Sequence, residues 1–159
     1  MGLILDSSIV VAAERRGHNV PHIPEQIRVA YGEIDVGLSV VTIAELVHGA
    51  YRAKTDAQRL RRLAFVEELC RDVPVHPVTL EIARSIGRIE GQQATKGISL
   101  SFEDLAIGVT ALELRFEVAT LNLRHFQMIP GLRIVSRSRV PRQQEPVTQL
   151  APLSTMSRC

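Results

Sequence analysis

Four polar residues of this 159-residue chain combine side-chain types and positions that could support metal-dependent chemistry. Each closely follows a short apolar segment or lies in the first turns of a helix: Asp6, Glu45, Asp104 and Asn122. No Lys or Arg directly flanks the three acids, so no sequence neighbour offsets their mutual repulsion. Carboxylate and amide oxygens suit a hard divalent ion such as Mg²⁺ or Mn²⁺. Such an ion activates water and neutralises phosphoryl charge, so the sequence predicts metal-assisted hydrolysis of a phosphodiester.

The segments that must position these residues alternate between short apolar strands and helices. Strands are predicted over residues 3–5, 35–41, 117–121 and 133–135, and a peripheral one over 73–78, where two prolines interrupt the pattern. Helical spacing of apolar residues predicts helices from about 7, over 24–32, 42–50, 56–71, 80–94 and 102–114, with a loop over 17–24. The helix over 56–71 is expected to have Leu60 on its inner side. Short strands that are apolar on both faces are typical of a parallel sheet covered by helices, so the predicted fold class is α/β. Ligands bind at the carboxyl ends of such strands, where the four polar residues would converge.

Helix capping is the alternative explanation for the same four residues. Thr42-x-x-Glu45 has the spacing of a capping box, and Ser101-x-x-Asp104 nearly so. Asp6 and Asn122 are both favoured N-cap types. Each residue taken singly is explained well by a cap, and only their coincidence at equivalent strand ends favours a shared site.

Composition and charge indicate one soluble globular domain with a different C-terminal segment. The chain is 45% hydrophobic and has no apolar run long enough to span a bilayer or resemble a signal peptide, so we expect a cytoplasmic location. From Arg133 onward it has five arginines and one acid, so this segment has a formal charge of +4. Because the whole chain has a formal net charge of +2, the residues before Arg133 carry −2. We predict a domain over 1–135 and a flexible basic tail over 136–159. Cys70 is expected in the core, since the two cysteines lack metal-like spacing.

Four segments of the chain resemble the successive signature segments of PIN-domain ribonucleases, particularly the VapC-type toxins of toxin–antitoxin pairs. The segments are LILDSSIVVAAER, SVVTIAELVHGA, SFEDLAIGVTALEL and VATLNLRHFQMIPGLRI, which together span about residues 3–135. The resemblance implies a PIN-like α/β/α sandwich with a short central parallel sheet covered by helices. It also implies a Mg²⁺-dependent endoribonuclease (a hydrolase), a homodimer, and inhibition by a cognate antitoxin that covers the active-site groove.

The match places the family's acidic triad on Asp6, Glu45 and Asp104, with Ser7 supporting the site through hydrogen bonds. Asn122 stands at the fourth position, where some members have Asp; an amide can ligate but adds no charge, so a second metal ion is less secure. His125 is interpreted as a surface histidine beside a packed phenylalanine. Glu103 is set aside in favour of Asp104, since neighbouring residues on a helix point about 100° apart.

Substrate and partner surfaces are less defined by the sequence. RNA phosphates call for basic residues near the acids, and the candidates are Arg15, Arg16 and Arg124. The helices of residues 42–71 could close a groove for an antitoxin helix, although packing on their own core explains their apolar faces equally well. The sequence argues against a phosphoacceptor or phosphatase site, which would want Asp-x-Asp after the first strand or a Lys at a late strand end, since neither is present. A non-catalytic PIN-like protein- or RNA-binding module stays open, because it is compatible with Asn122.

Overall fold

A computed structural model describes residues 2–135 of the chain, which form a five-stranded parallel sheet. The strands are β1 (Gly2–Leu5), β2 (Asp35–Ser39), β3 (Val75–His76), β4 (Glu117–Ala119) and β5 (Ile134–Val135), in the order β3-β2-β1-β4-β5. Leu5 pairs with Leu38 on one side and with Ala119 on the other, so the ends of three strands lie side by side. The chain winds outward from β1 in both directions. The switch between the two directions therefore falls between β1 and β4.

Seven helices accompany the sheet in this part of the chain. They are α1 (Ser7–Arg15), α2 (His22–Tyr31), α3 (Val40–Tyr51), α4 (Asp56–Asp72), α5 (Leu80–Ala94), α6 (Phe102–Leu114) and α7 (Leu123–Phe126). No helix in the described region is long and apolar enough to cross a bilayer.

Alternation along β1 sorts the helices into two layers, because successive strand residues point to opposite faces. Leu3 and Leu5 pack with apolar residues of α1, α2, α3 and α4, whereas Ile4 packs with those of α5 and α6. All three side chains are at most 2% exposed. The sheet is thus buried on both faces, which confirms the predicted α/β/α sandwich.

The structure moves two of the predicted boundaries near the site. The second strand ends at Ser39, and α3 begins at Val40, two residues before the predicted start. Its N-cap is Ser39, whose hydroxyl accepts a hydrogen bond from the Val41 N–H, so the capping box proposed for Thr42 is wrong. The fourth strand ends at Ala119 rather than residue 121, and α7 follows where no helix was predicted.

Two expectations about α4 are also wrong. Leu60 was placed on the inner side of this helix but is 63% exposed, and Cys70, expected in the core, is exposed as well. The helix instead buries Val66 and Leu69 on the face of the sheet to which Leu3 and Leu5 point. The predicted basic tail over residues 136–159 lies outside the described part of the chain.

Candidate metal-binding and nuclease site

The carboxyl ends of the central strands bring the predicted acids to one edge of the sheet. Asp6 directly follows β1, Glu45 lies in the second turn of α3, and Asp104 lies in the first turn of α6. The three carboxylates are close enough that Asp6 and Asp104 both act electrostatically on Glu45. The site therefore lies at the topological switch point, where sheets of this kind bind ligands.

Asp6 is a buried carboxylate held by two hydroxyl groups. Its side chain makes no capping hydrogen bond with α1, although it occupies the N-cap position. Instead, Oδ2 accepts hydrogen bonds from Ser8 Oγ at 2.5 Å and from Thr120 Oγ1 at 2.7 Å. The residue is only 5% exposed. Capping thus fails to explain Asp6, and the carboxylate is oriented by residues 2 and 114 positions away.

The two hydroxyl groups are themselves fixed by the backbone that follows β4. The Leu121 N–H donates to Ser8 Oγ at 3.0 Å, and the Asn122 N–H donates to Thr120 Oγ1 at 2.9 Å. Each hydroxyl therefore accepts one bond and directs its own hydrogen toward Asp6. Within the described residues, no donor is bonded to Oδ1 of Asp6, so one oxygen is held and the other is available.

Asp104 shows the same arrangement on the opposite side of the site. Its backbone N–H donates to Ser101 Oγ at 3.1 Å, which confirms Ser101 as the N-cap of α6. The Ser101 hydroxyl donates in turn to Asp104 Oδ2 at 2.8 Å. The Nδ1 atom of His125 lies 2.9 Å from the same oxygen. The cap and the site coexist because the cap uses the Asp104 backbone, whereas Oδ1 of its carboxylate is bound by no described residue.

Glu45 differs from both aspartates because its free oxygen is buried. Oε2 is inaccessible to solvent and has no hydrogen-bond partner. Burial, reinforced by the charges of Asp6, Asp104 and Glu103, raises the pKa of the Glu45 carboxyl, while a hydrogen bond from Ser7 lowers it. Ser7 thus contacts the site as predicted. Glu103, predicted to point away from it, is close enough to add a fourth negative charge.

Thr42 anchors the helix that carries Glu45. It is fully buried, and its hydroxyl donates to the backbone carbonyl of Leu5 at 3.3 Å. Because Leu5 is the last residue of β1, this bond ties α3 to the strand end that carries Asp6. The residue assigned from sequence to a capping box therefore aligns two of the three acids.

Asn122 occupies the N-cap position of α7 but makes no side-chain capping bond. Its amide nitrogen lies 2.8 Å from Nδ1 of His125. The short helix is held in place by Phe126 and Ile129, which are buried against α6. A Cβ atom on Gly108 of α6 would lie 2.6 Å from the Ile129 side chain, so the absence of a side chain there permits this close approach.

Two adjoining grooves extend from the acidic site along α1. Ser7, Val11 and Arg15 line both grooves. The first groove, toward α3 and α4, combines apolar and charged side chains and is further lined by Glu14, Glu45, Leu46, Gly49, Arg52, Arg62, Phe65 and Val66. The second groove, toward the segment after β4, is further lined by Ser8, Ala12, Arg16 and Leu121. Arg15, one of the predicted phosphate-binding residues, therefore lines a groove together with Glu45, and Arg16 lines the groove that Ser7 and Ser8 also line.

The donor set fits a hard divalent cation. Each of the three carboxylates has one oxygen that accepts no hydrogen bond from a described residue. For Glu45 that oxygen, Oε2, is buried, and a bound cation would give it a partner. No group of three or more His, Cys, Asp or Glu side chains within residues 2–135 is arranged to hold a metal ion by itself. The three carboxylates are thus of the right chemical type for such an ion, but within residues 2–135 they are not already placed as a three-ligand site.

Sequence reasoning missed the groups that orient the acids. Ser8, Thr120 and His125 bond directly to the two aspartates, but these contacts join residues 2, 114 and 21 positions apart. The available signal was a hydroxyl residue shortly after each strand: Ser8 lies two residues after Asp6 in the first turn of α1, and Thr120 directly follows β4. Neither becomes informative until β1 and β4 are known to be neighbours.

Fold and site together define a doubly wound α/β domain with a carboxylate cluster at its switch point. The family model for the PIN domain matches residues 3–131. Ribonuclease VapC1 of Rickettsia felis is 28% identical over 87% of this chain and 98% of its own length. The tRNA(fMet)-specific endonuclease VapC of Salmonella typhimurium is 33% identical over 61% of this chain and 71% of its own length.

Solved structures agree with the sequence relatives. DNA-bound VapBC of Salmonella typhimurium has a chain that is 25% identical, with a TM-score of 0.71 over 86% of this chain and 98% of that one. VapBC2 of Rickettsia felis, bound to a promoter DNA fragment, has a chain that is 20% identical over the same shares and has a TM-score of 0.69, a likeness of fold. The chain belongs to the PIN-domain family.

Proposed function

We propose that this protein is a Mg²⁺-dependent endoribonuclease, the toxin of a type II toxin–antitoxin pair, for which Mn²⁺ can substitute. The observation that carries the proposal is the set of three carboxylates at the switch point, two with one oxygen fixed by donors and the third with a buried oxygen that has no partner. Relatives named ribonuclease and endonuclease VapC support the choice of RNA as substrate. Asp6, Glu45 and Asp104 hold the metal ion in this proposal.

The bound ion supplies a water of lowered pKa and offsets the charge that develops on the phosphoryl group. Ser8 and Thr120 keep Asp6 in one orientation, and Ser101 does the same for Asp104. Ser7 orients Glu45. Fixing these side chains before the substrate arrives lowers the cost of assembling the site, which is a general contribution of supporting hydrogen bonds around metal ligands.

RNA is proposed to enter along the second groove, which is lined by Arg15, Arg16 and Leu121. Neither arginine forms an ion pair within residues 2–135, so both guanidinium groups are available to phosphate. Arg124 is exposed on α7 near Asn122 and extends the basic surface. Leu121 is 41% exposed and offers an apolar contact for a base beside the scissile phosphate.

The proposed antitoxin contact is the first groove. Its lining residues Val11, Leu46, Phe65 and Val66 fit the apolar side of a peptide, and Arg52 fits an acidic group. Arg62, which also lines the groove, donates to the Gly49 carbonyl at 3.0 Å and lies 3.8 Å from Glu14. The VapBC complexes among the solved structures support a partner of this kind. We further propose that the toxin is a cytoplasmic homodimer.

The direct test is cleavage of RNA by the purified chain with Mg²⁺, with and without EDTA. Asp6→Asn keeps the size of the side chain but removes its charge, so cleavage is expected to fall at least about 100-fold, as for loss of a charge at a metal site. Asp35→Asn is the matched control, since Asp35 is an exposed residue at the opposite end of the sheet. Full activity of Asp6→Asn, or activity that persists in EDTA, would contradict the proposal.

A second candidate function is a non-catalytic PIN-like module that binds protein or RNA. It is favoured by the neutral Asn122 at the fourth position and by the lack of a ready-made three-ligand metal group among the described residues. Mn²⁺ titration separates the two functions, because a module of this kind gains no stability from the ion. Saturable stabilisation by Mn²⁺ supports the enzyme, and its absence supports the module.

A further inference from the structure

His125 contacts two residues of the site through a single ring nitrogen. Nδ1 lies 2.9 Å from Oδ2 of Asp104 and 2.8 Å from the amide nitrogen of Asn122. A ring nitrogen either carries one hydrogen or offers one lone pair. It therefore cannot both donate to the carboxylate and accept from the amide N–H, and one of the two neighbours decides its state.

The carboxylate is the stronger determinant. An ionised carboxylate only accepts hydrogen bonds, and a charged acceptor forms a bond about twice as strong as a neutral one. A lone pair on Nδ1 would face Oδ2 of Asp104 at 2.9 Å with no hydrogen between them, which is repulsive. With a hydrogen on Nδ1, the ring donates to Asp104 whether or not Nε2 is also protonated.

The amide of Asn122 must then present its oxygen to the ring. Rotation of the amide by 180° exchanges its nitrogen and oxygen without changing its shape. The oxygen can then share the Nδ1–H with Asp104, whereas the nitrogen would oppose it. An Asn122 oxygen used in this way is not a ligand for a metal ion.

We infer that His125 is a positioning residue for Asp104. Its ring carries a hydrogen on Nδ1 and donates it to Oδ2 of Asp104, and the side-chain amide oxygen of Asn122 accepts from the same N–H. The inference rests on the proposed metal site and changes its composition, because Asn122 supports His125 instead of binding the ion. Asp104 then has two donors on Oδ2, Ser101 and His125, just as Asp6 has Ser8 and Thr120.

The fold holds the histidine where this role requires it. The backbone N–H of His125 donates to the backbone carbonyl of Asn122 at 3.3 Å. This bond fixes the separation between His125 and Asn122, the N-cap of α7. The next residue, Phe126, is fully buried and anchors that turn on α6, the helix that also carries Asp104. The ring and the carboxylate are thus attached to packed elements, although the His125 side chain is 53% exposed.

The tautomer can be read directly from ¹⁵N–¹H correlations of the histidine rings in the metal-free full chain at pH 8. We expect His125 to carry its hydrogen on Nδ1, and His48, an exposed histidine elsewhere on α3, to serve as the reference for an unconstrained ring. A His125 ring with its hydrogen on Nε2 would overturn the inference. Because no metal ion or RNA is present, this result does not depend on the proposed enzyme activity.

A double-mutant cycle tests the assignment of Asn122 by Mn²⁺ affinity. His125→Leu is expected to weaken Mn²⁺ binding about 10-fold, within the range known for residues that support a metal ligand. His125→Asn, which places an amide N–H near the Nδ1 position, should stay within about threefold of the wild type by preserving that donor. His48→Leu is the matched control and should have no effect.

The double variant His125→Leu/Asn122→Ala is expected to bind Mn²⁺ as His125→Leu does, because Asn122 acts only through the ring. Losses that multiply would show that Asn122 binds the ion independently and would overturn the inference. Wild-type affinity in His125→Leu, with a wild type that binds Mn²⁺ and cleaves RNA, would overturn it while leaving the proposed function intact. A wild type that neither binds Mn²⁺ nor cleaves RNA would contradict the proposed function and remove the metal-related role of His125.

Discussion

Asp6 and Glu45 end up beside each other but have opposite surroundings. Asp6 is the more buried, yet two hydroxyl donors satisfy one of its oxygens. Glu45 has one donor, Ser7, and a buried oxygen without a partner. The comparison separates two ways of holding a buried carboxylate: two hydroxyl groups donate to one oxygen of Asp6, whereas burial is the main cause that raises the pKa of Glu45, and nearby carboxylates add to it. Glu45 is therefore the acid that gains most from a bound cation.

The largest predicted effect is that of Glu45→Gln, which should lower RNA cleavage at least about 100-fold by removing a metal ligand. The same change should raise the free energy of unfolding of the metal-free protein at pH 7. The gain is expected to be at most about 1 kcal/mol, discounted for partial exposure of the side chain. An RNA cleavage assay measures the first consequence, and urea denaturation without Mg²⁺ measures the second. If Glu45→Gln were less stable than the wild type in the absence of metal, the Glu45 charge would not be unfavourable, and the contrast between Glu45 and the donor-supported Asp6 would be wrong.

The pH dependence of this gain has a definite sign. The pKa of Glu45 is raised in the folded state above its ordinary value of 4.5. Its carboxyl therefore favours folding below the unfolded-state pKa, and that contribution is lost as the pH rises through the folded-state pKa. The stability difference between Glu45→Gln and wild type should grow from about pH 4.5 upward and then level off. A difference that is constant from pH 4 to pH 8 would contradict the assignment.

An intermediate effect is expected from Thr120→Val, which removes one of the two donors to Asp6. Cleavage should fall about 10-fold to 100-fold, the usual range for loss of a group that supports a metal ligand. Thr110→Val is the matched control, because Thr110 is equally buried and donates to the Ala106 carbonyl at 2.7 Å within α6. Initial-rate measurements should show lost activity for Thr120→Val only. Equal activities for the two variants would show that Asp6 does not need its donors.

The smallest effect is expected from Arg15→Gln/Arg16→Gln, at the edge of the second groove. KM for RNA should rise a few-fold with little change in kcat, and the dependence of log KM on log salt concentration should become shallower because fewer phosphate contacts are made. Arg84→Gln/Arg88→Gln, two exposed changes on α5, removes the same number of charges and controls for net charge. A fall in kcat at unchanged KM would instead place these arginines in the chemical step.

The sequence supported the fold most strongly where local pattern and tertiary position agree. Apolar residues on both faces of Leu3–Leu5 predicted a buried strand, and this strand is the centre of the sheet. Leu60 and Cys70 were misplaced because α4 buries only a narrow stripe, represented by Val66 and Leu69, and both residues lie off it. The helix α7 was missed because four residues give too little helical periodicity to recognise.

The acids of the site could be predicted, but their supporting groups could not. Asp6, Glu45 and Asp104 were identified because each has a recognisable place near a strand end or helix start, and the structure brings them together. Ser8 and Thr120 meet only because β1 pairs with β4, an arrangement set by sheet order and not by local spacing. His125 was interpreted as a surface residue. It is indeed half-exposed, but its exposure does not reveal the contact of Nδ1 with Asp104.

The most direct test of the metal site at Glu45 is the change in Tm with Mn²⁺ concentration for the wild type and Glu45→Gln. Binding to the folded state alone raises stability with the logarithm of ligand concentration above Kd. The wild type should show a rise in Tm that begins near Kd, whereas Glu45→Gln should start from a higher Tm and respond little. Equal responses of the two proteins, or no response of the wild type, would contradict a metal ion held by Asp6, Glu45 and Asp104.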